Sequence, residues 1–396
     1  MKKESKRHKL NFIQRNILFS ALFVFLNFIL IACLTAPQRS IPQSANTNST
    51  EETQKSPKIT MRDMVLKNTW VNNNKTFLYL MDENPIPGSI NTIVFLPVIK
   101  NGKTIPQDTV YTASLFNSSG KRLTKSDFFQ WSLDGDSGAN FLLTSVFSVP
   151  STAAAGIATL RIEGDRGFYE EIPLLIAYKK FISEEIPLSP SNTSLRTEPD
   201  PQKTKESQRL WSILATTGTS IYTDGPFSTP VARDTRRTSF FGDRRVYKYS
   251  NGKSDTAIHA GIDYGVPTGT QVLSPAAGRV VLACPRIVTG NSVILEHLPG
   301  VYTIYYHLDK IFVNENDIVE EGVVLGLSGS TGLATGPHLH WEIRAATENT
   351  DPDIVSSRPI LDKEQTIQKI ILHYNENNLL SDRLPNLQIE EQHTQS

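Results

Sequence analysis

From residue 59 onward the chain is built of short runs of β-type residues separated by Gly, Asn, Ser and Asp, the texture of many short strands and turns. Such runs fall at 92–99, 111–117, 158–163 and 170–178, with turn clusters at 117–120, 135–138 and 164–167. Residues 59–182 are therefore expected to form an antiparallel β-sandwich of immunoglobulin-like type. This stretch holds no cluster of ionisable side chains, so it reads as a spacer or as a module that docks a protein partner. Residues 183–225 carry prolines and charges and read as a linker with one short helix. Asp200 is its N-cap, Pro201 its first position and Gly218 its stop, with Leu210, Trp211, Ile213 and Leu214 toward one side. Strands return in 226–350, at 271–273, 278–283, 292–297, 302–307 and 338–343. Residues 351–396 form an extension whose helix, at 362–374, opens on Asp362 and Gln365 in a capping-box pattern and repeats Ile367, Ile370, Ile371 and Tyr374 at helical spacing. The polar tail after it is expected to fray. The fold class is mainly β, two β domains with few short helices.

The beginning of the chain follows another pattern. Residues 1–16 are basic, and 17–32 are apolar apart from Ser20 and Asn27. That order is the n-region and h-region of a secretory signal. The run ends Leu30-Ile31-Ala32-Cys33, which resembles a bacterial lipoprotein box and implies cleavage before Cys33 and lipidation there, so 1–33 is a signal peptide. The other reading is an uncleaved anchor, since about 16 apolar residues nearly reach the ~17–25 needed to span. Either way the body lies outside the cytoplasm. Leu34 does not resemble an inner-membrane retention signal, which favours the outer membrane where there is one. Residues 34–58, rich in Ser, Thr, Asn, Gln and Pro, read as a disordered tether.

Composition narrows the function. With 40 basic and 40 acidic residues there is no cationic excess to neutralise phosphates, so nucleic acid is not the expected partner. The two cysteines, Cys33 and Cys284, stand in contexts too different for a disulfide, and a chain this long needs none.

The candidate chemistry lies in the histidines. Five of the eight fall between His259 and His340. In His259-Ala-Gly-Ile-Asp263 the glycines and Pro267 argue against helix, and residues four apart on an extended segment share a face. In His338-Leu-His340 the two rings point the same way. In Thr303-Ile-Tyr305-Tyr306-His307 alternation predicts Thr303, Tyr305 and His307 on a common face. A catalytic zinc wants three protein ligands and leaves a fourth position open. His259, Asp263, His307, His338 and His340 therefore supply three ligands and two acid–base partners, although spacing alone does not say which three bind the metal.

These motifs resemble the M23 family of zinc metallopeptidases, of the LytM and lysostaphin type. Its H-x-x-x-D and H-x-H patterns stand here as His259/Asp263 and His338/His340. Thr238–Arg245, Gly269–Val272, Gly290-Asn291 and Gly329–Gly332 leading into Thr335–His340 match as well. The resemblance covers residues 238–344 and implies an M23-type antiparallel β domain with its site in a groove. It further implies Zn2+ as cofactor, held by His259, Asp263 and His340, with His307 and His338 catalytic. The implied substrate is a peptide bond of bacterial cell-wall peptidoglycan. A family tyrosine upstream of the first histidine has no secure counterpart, Tyr247 and Tyr249 both being near.

The remaining candidates read as structural. His297 ends a strand with nothing beside it to complete a site, Cys284 lacks a second thiol, and the glycines at 326–336 serve turns. A rival reading, a regulator of this fold that activates a separate amidase, would be marked by lost ligands. Here all five positions are filled.

Overall fold

Strands Ile90–Pro97 and Phe141–Ser148, with sequences INTIVFLP and FLLTSVFS, offer apolar or small residues to both faces. A sheet built on such strands must be covered on both sides. The computed structural model of the 396-residue chain describes residues 69–71, 76–80, 85–97, 110–132, 141–165 and 167–376. The signal, Cys33 and the tether lie outside the described residues, as do His8, His393 and the turn at 135–138.

In chain order the first domain comprises β1 (Thr69–Val71), β2 (Thr76–Leu80), β3 (Ile90–Pro97), β4 (Tyr111–Asn117), β5 (Arg122–Asp127), β6 (Phe129–Ser132), β7 (Phe141–Ser148), β8 (Gly156–Gly164) and β9 (Tyr169–Ile176). They form two antiparallel sheets, β1-β2-β3-β7-β6 and β5-β4-β8-β9. Ile93, Phe95, Leu143 and Phe147 of the first sheet close on Leu115, Leu160, Ile162 and Leu174 of the second. Phe95 meets Tyr111 edge to face, at 5.1 Å between centroids.

The outer face of the five-stranded sheet is not exposed. Ile90, Val94, Leu142 and Val146 share a core with Ile343, Ala345 and Ile360 of the second domain. Polar contacts reinforce that junction: Ser148 Oγ donates to the Asn349 carbonyl (2.9 Å), Thr92 Oγ1 to that of Ile360 (2.7 Å) and Asp351 N to that of Gly88 (2.8 Å). The sandwich is thus joined to its neighbour by packing, not merely by a linker.

Residues 183–200, read as linker, carry β10 (Ser183–Pro187) and α1 (Pro190–Thr197); α2 (Pro201–Leu214) follows. Asp200 caps α2 by accepting Gln202 N at 2.6 Å. The second domain continues with β11 (Arg237–Ser239), β12 (Arg244–Lys248), β13 (Ser254–Ile258), β14 (Ile262–Tyr264), β15 (Gln271–Leu273), β16 (Gly278–Arg286), β17 (Gly290–Leu298), β18 (Val301–Leu308), β19 (Lys310–Ile311), β20 (Ile318–Val319), β21 (Val324–Leu327), β22 (Leu339–Ala345) and β23 (Glu348–Thr350), then α3 (Pro352–Ser357) and α4 (Lys363–Glu376). Asp362 accepts Gln365 N at 2.8 Å at the start of α4. The central sheet runs β11-β14-β22-β18-β17-β16-β20, with β23 on β22.

Alternation gives this sheet two working faces. Val301, Tyr305, Leu339, Trp341 and Ile343 enter the main core. Tyr302, Ile304 and Tyr306 point the other way, where Leu210, Ile213 and Leu214 of α2 cover them. His340 lies on this second face.

Candidate metal centre

Three neighbouring segments bring the histidines together. His259 follows β13, its backbone held by Gly242 N on the His259 carbonyl and His259 N on the Asp243 carbonyl, both at 2.9 Å. Asp263 and His340 are cross-strand partners on β14 and β22. The turn between His259 and Asp263 runs flush against β22, and a Cβ on Gly261 would sit 2.0 Å from the Trp341 carbonyl oxygen. Only glycine fits there.

One atom each of His259, Asp263 and His340 converges on a common point, all within 4.8 Å of one another. His259 Nε2 is 3.1 Å from Asp263 Oδ1 and 3.0 Å from His340 Nδ1. His340 Nδ1 is 2.7 Å from Asp263 Oδ1. The opposite ring atoms fix the tautomers. His259 Nδ1 faces the Phe240 carbonyl (2.8 Å), so it carries the proton and Nε2 is a lone pair. His340 Nε2 faces Glu342 Oε1 (3.0 Å), so Nε2 carries a proton and Nδ1 is the atom left to face Asp263 and His259. Two ring nitrogens and a carboxylate oxygen pointing at one another repel unless a proton or a metal cation stands between them. This nitrogen and oxygen donor set fits zinc.

Electrostatics point the same way. Burial opposes a charge on His340, but Asp263 and then Glu342 outweigh it and push its pKa up to about 9. Burial would raise Asp263; His340 and His259 hold it well below the carboxylate range. Glu342 is itself held down at about 2 against burial by Arg344 and His340, and Arg344 Nε donates to its Oε2 at 3.0 Å. In the metal-free protein a proton on His340 supplies positive charge where the three donor atoms meet, and a metal ion would take its place.

His307 and His338 flank that point. His338 Nδ1 donates to the Gly336 carbonyl (2.8 Å) and His307 Nδ1 to the Thr331 carbonyl (2.7 Å). Each ring thus turns its Nε2, not its Nδ1, to the other side, and the ring centroids are 4.7 Å apart. Burial, then His338 and His340, push the His307 pKa down to about 3, so the ring is neutral in the metal-free protein. His338 Nε2 lies 3.9 Å from Asp263 Oδ1.

The expectation that His307 shares a face with Thr303 and Tyr305 is corrected here. Strict alternation would bury it in the main core beside them. Instead the β17–β18 register shifts between the Asn291 and Val293 pairs, and His307 takes φ 62°, a β-bulge that turns its ring toward His338. Tyr305 stays inside, its hydroxyl 2.8 Å from Thr303 Oγ1. Thr303 in turn contacts His297 Nε2 at 2.7 Å, a buried polar chain outside the metal centre.

Several residues here escaped the motif reading. Arg245 Nη2 holds Asp263 Oδ2 at 2.7 Å, Glu342 orients His340, and Tyr306 backs its ring. Glu342 could have been found, since it continues the His338/His340 alternation; Arg245 is tied to Asp263 only by tertiary contact. Tyr247 and Tyr249 are both held by α1: Arg196 stacks over Tyr247 at 4.0 Å and donates to the Tyr249 hydroxyl at 3.1 Å. From the same helix Asn192 Nδ2 reaches the Ala334 carbonyl at 3.1 Å.

The β domain thus carries a His–Asp–His group able to hold a metal ion, with two further imidazoles beside it. Residues 257–352 match the model of Peptidase family M23, and the chain carries a domain of that family. It is 37% identical over 131 residues to the peptidoglycan DD-endopeptidase ShyA of Vibrio cholerae, covering 33% of this chain and 27% of that protein. It is 41% identical over 95 residues to the DD-carboxypeptidase/endopeptidase Mpg of Neisseria meningitidis, covering 24% and 22%. The chain thus spans about a quarter of the length of these curated relatives. Among solved structures, an M23 peptidase from Pseudomonas aeruginosa aligns over 69% of this chain and 94% of its own, at 23% identity and TM-score 0.46.

Proposed function

We propose that this protein is a zinc-dependent metalloendopeptidase that hydrolyses peptide bonds in bacterial cell-wall peptidoglycan. The observation that carries the reading is the convergence of His259 Nε2, Asp263 Oδ1 and His340 Nδ1 beside two further imidazoles. Those three atoms would hold the zinc, which would supply Lewis acidity that makes water a nucleophile near neutral pH. His307 and His338 then act as the proton-handling pair. One takes the proton from the attacking water, and the pair hands it to the departing amine. Their backbone partners, the Thr331 and Gly336 carbonyls, keep both rings in the tautomer that can do so. The relatives' printed names, a peptidoglycan DD-endopeptidase and a DD-carboxypeptidase/endopeptidase, support the substrate class.

The body acts outside the cytoplasm, anchored through lipid on Cys33. The basic, apolar, Leu-Ile-Ala-Cys order of the first 33 residues supports this reading. Incorporation of labelled palmitate that disappears in Cys33→Ser is its test. For the activity, residues 34–396 are incubated with purified peptidoglycan, with and without chelator, and the products are read by mass spectrometry. Chelator-sensitive release of peptides is the expected result, and the product masses name the bond. No release from several wall chemistries by the zinc-loaded protein would sink the assignment.

A further inference from the structure

The strand that leaves the accessory sandwich is wired to the metal centre. β10 pairs in parallel with β12, and Glu184 is the register partner of Arg245. Arg245 Nε donates to Glu184 Oε1 at 2.9 Å, while its Nη2 donates to Asp263 Oδ2 at 2.7 Å and to Ser239 Oγ at 2.6 Å. Ser239 Oγ also lies 3.0 Å from Glu184 Oε1 and 3.1 Å from Asp243 Oδ2. Asp243 Oδ2 accepts Phe240 N at 2.8 Å, and the Phe240 carbonyl is the group that fixes the His259 tautomer. Glu184 therefore touches, through one guanidinium and one hydroxyl, the residues that set both Asp263 and His259. It lies outside the matched stretch 257–352.

The charges explain why such a carboxylate matters. Asp263 has two oxygens: Oδ1 faces the metal point and Oδ2 faces Arg245. An uncompensated guanidinium draws the carboxylate's electron density toward Oδ2 and weakens Oδ1 as a ligand. The Arg245 and Asp263 side chains are only 13% and 9% exposed, so solvent screens this competition poorly. Glu184 supplies the second negative charge that Arg245 needs, leaving more of Asp263 for the ion. We infer that Glu184 is a positioning residue for the metal centre, acting through Arg245 on Asp263. The inference rests on the reading of Asp263 as a ligand. It makes the sandwich-to-peptidase connection part of the metal site's support.

The test is zinc affinity, not turnover. Full-length protein in detergent is titrated against a competing chelator, and the apo form is melted in parallel. Glu184→Gln keeps an oxygen for Arg245 Nε and keeps the β10–β12 pairing, removing only the charge. Partners one bond from a ligand are worth about 10–100-fold in metal affinity, so Glu184, one step further out, is expected to weaken zinc by about 3–10-fold with the apo melting temperature unchanged. Arg245→Lys should lose more. The control is Glu185→Gln on the same strand, whose carboxylate pairs with exposed Lys248 at 2.9 Å and which should leave affinity as it is. Wild-type affinity in Glu184→Gln, an equal loss in Glu185→Gln, or a loss tracked by a lower apo melting temperature would each overturn the inference. A wild-type protein that binds no zinc would instead overturn the reading of Asp263 as a ligand.

Discussion

Tyr306 lies flat against His340, with ring centroids 5.4 Å apart and planes 6° from parallel. The two are cross-strand partners on β18 and β22, and Tyr306 is buried beneath α2. The stack fixes the ring about the axis that aims Nδ1 at Asp263. Tyr306→Phe keeps the stack and is expected to hold zinc as the wild type does. Tyr306→Ala opens a cavity, costs about 3–5 kcal/mol of stability and lets the imidazole swing. Chelator competition and urea denaturation on both variants measure the two effects separately.

The division of labour among the histidines gives a second prediction. His340→Ala should abolish zinc binding and cleavage together. His307→Ala and His338→Ala should retain zinc and lose about 10²–10⁴ of turnover, the range for a positioned acid–base group. Metal analysis of the purified variants decides it. Equal zinc loss in His338→Ala and His340→Ala would refute these roles.

Gly261 carries a stability prediction. Its absent Cβ is what allows the chain to pass the Trp341 carbonyl. Gly261→Ala must push β14 from β22 and should cost about 3 kcal/mol or more, read as a lowered urea midpoint.

His297 sets a pH dependence away from the candidate metal centre. Its Nδ1 donates to the Ala277 carbonyl at 2.7 Å and its Nε2 accepts from Thr303. Burial pushes its pKa down to about 4, with the Ala277 carbonyl opposing, against ~6.5 in an unfolded chain. Between those values the unfolded state binds the proton and the folded state does not. Stability is therefore whole above pH 6.5 and falls as pH drops toward 4, by about 3 kcal/mol. His297→Gln, which cannot titrate, should lose less stability over that interval. An unchanged acid slope in urea melts would show that the proton is taken elsewhere.

The sequence exposes the site better than its supports, for physical reasons. His338 and His340 are legible because extended chain has period two, so a spacing of two puts side chains on one face; His259 and Asp263 instead meet across the turn at Gly261, between β13 and β14, and only their motif announces them. The strands at 111–117 and 271–273 match their observed bounds because turn residues bracket them. Residues 183–200 were misleading: Pro187 and Pro190 suggest a linker, yet Pro187 ends edge strand β10 and Pro190 begins α1, both places that need no backbone donor. The docking of the sandwich depends on β3 and β7 being buried on both faces, which composition hints at but does not assign to a partner. Arg245 and Glu184 are joined to the proposed ligands only by tertiary contact, and no local pattern announces them.

The bulge at His307 has a consequence for how relatives of this domain are judged. The ring reaches His338 because one residue of β18 leaves the pleat, with φ 62°. A homologue could keep every histidine and the aspartate, pleat this strand regularly through the same number of residues, and direct that imidazole into its own core. Its motifs would be complete and its chemistry silent. Competence in this site is therefore a property of backbone register as much as of residue identity, and an inventory of motifs overcounts the enzymes.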